Sequence, residues 1–318
     1  MVINVANTHY DSIKDVSRKK LKWRLSMKEE ADDFDIYWND LGIFPERLAS
    51  LKPYMKVNHF PGMHMISRKN NLGRILKRLH KMYPDDFKFF PLTWMLPYDF
   101  HELRNYVSKR KTPISLIVKP EAGSQGKGIF LTRKIDDLAS QTHMVVQRYL
   151  RRPYLIDGLK FDLRLYVLVT SCEPLRIFLF KEGLARFATD KYDTTGALEN
   201  VFMHLTNYAI NKDSENFEVG CDFSSGSKRS LQFVWEFLAK AGVDVPELHQ
   251  EIRKVIVKTL MMIQPHLSHI YRACQPRDRE NSMCFEILGF DILLDAKAKP
   301  WLLEVNQAPS FNTDTPLD

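Results

Sequence analysis

Near the end of the chain, WLLEVN spaces Glu304 and Asn306 two residues apart. On a strand both side chains point to one face, while Leu303 and Val305 point to the other. The apolar run FEILGFDILLD precedes it, and a symmetric turn through DAKAKP at 295–300 sets Asp291 directly opposite Glu304 in an antiparallel hairpin. Facing side chains there sit roughly 4.5–5.5 Å apart at Cβ, and two carboxylates so placed repel. A divalent cation relieves the conflict, and two carboxylates with one amide oxygen suit Mg²⁺ that keeps waters and shares phosphate ligands. The alternative is an acidic hairpin face wetted by solvent, and a one-residue slip removes the pairing.

The second chemical feature is IVKPEAGSQGKGIF, with Gly123, Gly126 and Gly128 between two strand-like runs, Lys119 at the exit of the first and Lys127 in the loop. Glycines at this spacing let backbone N–H groups wrap an anion. The pattern fits neither a Walker loop nor a Gly-x-Gly-x-x-Gly turn before a helix. It reads as a β-hairpin laid over nucleotide phosphates, or equally as a glycine-rich surface hairpin.

Polar side chains recur in apolar surroundings. Lys160, Asp162 and Arg164 share the polar side of KFDLRLYVLVT, Arg186 sits between Ala185 and Phe187, and Thr206, Asn207 and Tyr208 follow His204. Lys228 stands at the entrance of a helix, the end that favours anions. Asp162 and Arg164 read either as an internal ion pair or as a place where Arg164 and Lys160 reach a nucleotide, and a bidentate grip on a carboxylate suits Arg186. Singly, each has an ordinary structural explanation; their coincidence with the loop and the carboxylates favours a nucleotide site.

The elements that must position these groups follow from periodicity. Leu72, Ile75, Leu76, Leu79 and Met82 recur at helical spacing, and SLIVKP, GIFLTR and HMVVQRYL read as short strands. KFDLRLYVLVT alternates, with Phe161, Leu163, Leu165, Val167 and Val169 on one face, and LRIFLF is its hairpin partner. Helices are predicted over 230–242 and 246–265, and short strands over 21–26 and 33–40. The sum is a mixed α+β layout with antiparallel sheets.

Composition agrees with an enzyme-sized globular chain: 318 residues, 44% hydrophobic, 27% charged, net charge +7. Disordered, collagenous and low-complexity classes are excluded. No apolar run reaches the length of a membrane span, and the first residues lack a signal-peptide core, so the expectation is a cytosolic protein without a membrane role. The four cysteines, Cys172, Cys221, Cys274 and Cys284, are too dispersed for a metal or redox motif and read as free thiols. No nucleic-acid motif is present.

In VNHFPGM, FFPLTW, IVKPEAGSQGKGIF, KFDLRLYVLVTSCEPLRIFLF, GLARFAT, MHLTNYAINK, GSKR, CFEILGFDILLD and KPWLLEVNQAPSF, in that order over roughly 57–311, the chain resembles the tubulin tyrosine ligase-like family, and within it the polyglutamylases. The resemblance implies an ATP-grasp fold with N-terminal, central and C-terminal subdomains, here 1–84, 85–158 and 159–318, the nucleotide lying between the last two. It implies ATP-dependent ligation of free L-glutamate onto glutamate side chains of tubulin, with Mg²⁺ as cofactor. The positions aligned with nucleotide contacts are Lys119, Gln125, Gly126, Gln147, Arg148, Tyr149, Leu150, Lys160, Phe161, Asp162, Thr206 and Asn207. Asp291, Glu304 and Asn306 align with magnesium ligands. Gln125, Arg186, Tyr208, Lys228 and Gln307 align with substrate-binding positions, although Gln307 departs from the His or Asn expected there.

The catalytic assignments are Lys119 and Arg164, stabilising the transferring phosphoryl oxygens. Gln125, where initiating enzymes often carry Arg, resembles the chain-elongating type. Related readings are a glycine or tyrosine ligase, or a non-catalytic microtubule-binding protein. The implied partners are tubulin and microtubules, met by a monomer at the cytoskeleton, including the cilium, axoneme or basal body. Only twelve residues follow Asn306, so the reading is a catalytic core lacking the family's last helix and a cationic microtubule-binding segment.

Overall fold

The computed structural model describes all residues except 29–32, 124, 195–197, 221, 222, 314, 316 and 318. Among the described residues the strands form three sheets. The first contains β1 (Val2–Asn7), β2 (Arg24–Ser26), β3 (Ile36–Asn39) and β4 (Lys56–Val57), in the order β2-β1-β3-β4. Every pairing in it is parallel. The expectation of antiparallel sheets throughout therefore fails here, and β1 was not foreseen. Its six residues are too few to show a strong alternation, and parallel pairing depends on crossovers that leave no local turn signature.

The second sheet, β5 (Thr93–Leu96), β6 (Leu116–Pro120), β7 (Phe130–Thr132) and β8 (Met144–Arg148), runs β5-β8-β6-β7 and is antiparallel. β6 and β7 are the hairpin that carries the glycine-rich loop, with Val118 opposite Phe130. Its core of Trp94, Leu96, Leu103, Leu116, Val118, Leu138 and Val146 is separate from the main one.

The third sheet is the largest: β9 (Leu155–Ile156), β10 (Leu159–Cys172), β11 (Leu175–Lys191), β12 (Lys228–Ser230), β13 (Glu286–Leu294) and β14 (Pro300–Asn306). It is antiparallel in the order β12-β11-β10-β13-β14, with β9 paired to β10. Phe161, Leu163, Leu165, Val167 and Val169 are buried on one face. They join Leu231, Val234, Leu248, Ile252, Val255 and Ile256 of the helices Leu231–Lys240 and Val245–Met261 in one core. Full burial of each such side chain is worth roughly 1.5–3 kcal/mol, which fixes the strand register and turns Asp162, Arg164 and Tyr166 to the other side.

The same core includes Phe34, Tyr37, Leu72 and Leu76, so the first sheet and the helix Lys69–Met82 pack on the third sheet. Val57 N donates to Met283 O at 2.8 Å and Phe285 N to Val57 O at 3.0 Å, stitching β4 to the chain entering β13. His59 Nδ1 lies 2.8 Å from the buried Glu286 Oε1 at the same junction. Cys172 and Cys284 are buried free thiols and Cys274 is half-buried and free; Cys221 and Ser124 of the glycine loop lie outside the described residues. No helix among the described residues is long and apolar enough to cross a membrane.

Candidate active site

On its polar face the third sheet lines up three adjoining rows across its strands. Lys228, Arg186 and Asp162 form one, Arg164, Asp291 and Glu304 the next, and Tyr166, Gly289 and Asn306 the third. The symmetric register expected of the last hairpin holds from Gly289–Asn306 to Asp291–Glu304 and then shifts at Ile292, which pairs with Leu302. This bulge turns Leu303 into the cleft beside Glu304, contrary to the strict alternation expected of it. Gly289 is the residue that lets Arg164 cross the sheet: a Cβ there would come within 3.2 Å of Arg164 Cδ. A glycine inside an otherwise apolar strand signals such an approach.

Asp291 is clamped by two guanidinium groups. Arg164 Nε donates to its Oδ1 at 2.5 Å and Nη2 to Oδ2 at 3.0 Å, while Arg186 Nη2 donates to Oδ2 at 2.7 Å. Arg186 also grips Asp162 through Nε at 2.8 Å and Nη2 at 2.6 Å, and Thr206 Oγ1 donates to Asp162 Oδ2 at 2.9 Å. Burial alone would raise the Asp291 pKa, but the two arginines hold it well below the ordinary carboxylate range. Glu304 goes the other way: burial, then the Asp291 charge facing it, push its pKa up. The buried Asp291 and the half-buried Glu304 thus face each other with pKa values pushed in opposite directions.

This donor set fits a hard divalent cation. Asn306 Nδ2 donates to Gly289 O at 3.3 Å, leaving its amide oxygen as a donor beside Glu304. No cluster of three His, Cys, Asp or Glu occurs among the described residues. Two carboxylates and one amide oxygen suit an ion that takes its remaining ligands from water and phosphate.

A cleft between the second and third sheets collects most of the expected nucleotide contacts. Lys119, Gln147, Arg148, Tyr149, Leu150, Lys160, Asp162, Thr206 and Asn207 line it, together with Arg186, Asp291 and Glu304. Lys119 Nζ donates to Gln147 Oε1 at 2.7 Å, and Gln147 Nε2 to Thr93 Oγ1 at 3.0 Å. Lys160 Nζ donates to His204 O at 2.5 Å and Tyr149 Oη at 3.2 Å. Burial lowers both lysines to about 8, so at neutral pH each remains a desolvated cation facing the cleft. A second, wider cavity meets the first at Arg186, Asn207 and Glu304 and adds Gln125, Arg164, Tyr208, Lys228 and Asn306. There Lys228 Nζ stands 4.4 Å from the Tyr208 ring centroid.

The loop closes onto this junction through Gly126. Its φ is +80°, and a Cβ there would run into Ile210 Cδ1 and stand 2.9 Å from Asn207 Oδ1. Gln125 beside it also has positive φ, at 62°.

Two expected residues fall elsewhere. Phe161 is 1% exposed and stacks on Phe187 at 5.2 Å, so its side chain belongs to the core, as its place in the strand alternation requires. Gln307 lies outside both cavities, where Ser67 Oγ donates to its Oε1 at 3.2 Å and its side chain hydrogen-bonds Glu286. Sequence reasoning also missed residues that shape the site. His204 holds Lys160 through its carbonyl, and its position just before LTNY was the available signal. Lys69 donates to Gly123 O at 2.7 Å; its signal is a lysine at the first position of a helix, against the dipole.

The chain belongs to the tubulin-tyrosine ligase family, whose profile matches residues 47–318. Among its relatives is a Tetrahymena thermophila protein named probable beta-tubulin polyglutamylase, 53% identical over 324 aligned residues that cover all of this chain and 27% of that protein. Tubulin polyglutamylase TTLL6 of Mus musculus is 48% identical over 320, covering all of this chain and 38% of its own length. Tubulin polyglutamylase TTLL7 of Xenopus tropicalis is 42% identical over 322, covering 99% of this chain and 35% of its own. The chain thus spans between about a quarter and two-fifths of the length of these relatives.

Proposed function

We propose that this chain is the ATP-dependent ligase core of a tubulin polyglutamylase, an ATP-grasp fold with subdomains over 1–84, 85–158 and 159–318. A carboxylate is a poor electrophile, so ligation needs a leaving group. An oxygen of the acceptor glutamate side chain attacks the γ-phosphorus of ATP, the bond from that phosphorus to the bridging oxygen breaks, and ADP leaves with the electron pair. The amine of free glutamate, having lost a proton, then attacks the acyl carbon; the C–N bond forms, the C–O bond breaks, and phosphate departs with the second amine proton.

In this reading Lys119, Lys160, Gln125, Gly126, Gln147, Arg148, Tyr149, Leu150, Asp162, Thr206 and Asn207 bind the nucleotide. Lys119 and Arg164 bear on the transferring phosphoryl oxygens, where fixed cations act more strongly than in water. Arg186, Tyr208 and Lys228 hold the incoming glutamate, and Gln125, neutral where initiators often carry Arg, leaves room for a growing side chain. Asp291, Glu304 and Asn306 hold magnesium, which when bound neutralises phosphate charge. The partners are the acidic tails of tubulin at the cytoskeleton.

The observation that supports this best is the Asp291–Glu304 pair, in which Asp291 lines the narrower cleft and Glu304 lines both cavities, where a nucleotide in one and an amino acid in the other would meet. The test is oxygen transfer. With ¹⁸O in the acceptor side-chain carboxylates, one ¹⁸O per bond formed should appear in the released phosphate. Ligation without that label excludes the acyl-phosphate route.

A further inference from the structure

Arg68 joins the helices His64–Ser67 and Lys69–Met82, and the first of these packs against β14, the strand that carries Glu304 and Asn306. Ser67 is tied to Gln307, one residue past Asn306, and so seats this segment against the end of β14. Two residues on, the half-buried Lys69 reaches Gly123 O in the glycine-rich loop at 2.7 Å. Lys69 therefore lies between the strand carrying Glu304 and Asn306 and the loop proposed to cover the phosphates.

Its charge is felt within the site, where it acts to lower the pKa of both Lys119 and Glu304. A lysine at the first position of a helix opposes the dipole. This helix has no acidic residue in its first turn and no side-chain cap to compensate. The Gly123 carbonyl is a neutral partner, weaker for an ammonium than an anion.

We propose that Lys69 is a further catalytic cation, which with Lys119 and Arg164 contacts the phosphoryl group as it passes from ATP to the acceptor carboxylate. The proposal rests on the acyl-phosphate reading above. As the bond to ADP breaks, charge is spread over the equatorial oxygens, and the ammonium turns from the Gly123 carbonyl to meet them. No proton changes hands.

The test uses Lys69→Ala, Lys69→Arg and Lys69→Gln, assayed for glutamate ligation to tubulin beside the wild type. The alanine variant should lose about 10²-fold in kcat, the scale of one removed charge-stabilising donor, with KM for ATP and glutamate nearly unchanged. Arginine, which keeps charge and reach, should restore most of kcat. Glutamine can still donate to Gly123 O but carries no charge, and should behave like alanine. An active wild type with a Lys69→Gln variant equally active refutes the cationic role and leaves Lys69 a loop tether; unchanged kcat in Lys69→Ala refutes any role. A wild type without ATP-dependent ligation refutes instead the ligase reading on which the proposal rests.

Discussion

Replacing Glu304 by Gln should make the ligand-free protein more stable and leave it unable to ligate. Glu304 is half-buried across a strand pair from Asp291, and both desolvation and that charge raise its pKa. Like charges directly opposite on a sheet cost roughly 0.2–1 kcal/mol, and a neutral amide of the same shape removes the conflict. Unfolding entropy near 2.1 cal/mol/K per residue converts such a gain into a rise of roughly 1 °C in Tm.

The sign with pH follows from linkage. A carboxyl whose folded pKa is raised contributes stability that is fully present below its unfolded pKa and lost as pH rises through the folded one. Glutamine does not titrate, so the variant's advantage should be absent near pH 4 and grow towards pH 7. Magnesium and a non-hydrolysable ATP analogue at 100 times Kd should stabilise the wild type by about 2.7 kcal/mol, roughly 4 °C, and the variant far less. Scanning fluorimetry at both pH values, with and without ligand, reads all of this. A variant less stable than wild type at pH 7, or with the full ligand-induced shift, refutes the reasoning.

With glutamate saturating, kcat/KM for ATP should fall as pH rises through about 8, where Lys119 and Lys160 lose their charge in the free protein; a flat profile from pH 7 to 9.5 contradicts that role. Gly126→Ala should lower kcat/KM for ATP by more than tenfold, because the new methyl meets Ile210 and Asn207 and positive φ disfavours it; steady-state kinetics would show it. Gln125→Arg should shift preference from pre-glutamylated towards unmodified tubulin, and an unchanged ratio in a paired assay counts against the elongation reading.

The hairpin bearing Asp291 and Glu304 was legible because a short loop between two apolar runs fixes register, and the structure pairs them as expected. The shift at Ile292 was not legible, since a bulge depends on packing against the Val245–Met261 helix and its neighbours rather than on the strand's own pattern. The long strand β10 was legible because alternation with one buried face is a strong signal, and that same alternation already argued against Phe161 as a cleft residue. β1 was missed because the residues it pairs with lie 22 or more positions away and pair in parallel. Lys69 was missed because its role depends on which loop its helix faces, a tertiary fact. Gln307 was drawn in by its neighbours in sequence, yet its side chain turns towards Ser67 and Glu286.

The central claim is a glutamate ligase, and mass spectrometry of tubulin after incubation with this chain, ATP and magnesium tests it most directly. Glutamate, glycine and tyrosine are supplied in separate reactions. The account predicts increments of whole glutamyl residues on tail glutamate side chains, only with glutamate and only with ATP. Increments with glycine or tyrosine instead, or none while the same preparation binds nucleotide, would contradict it.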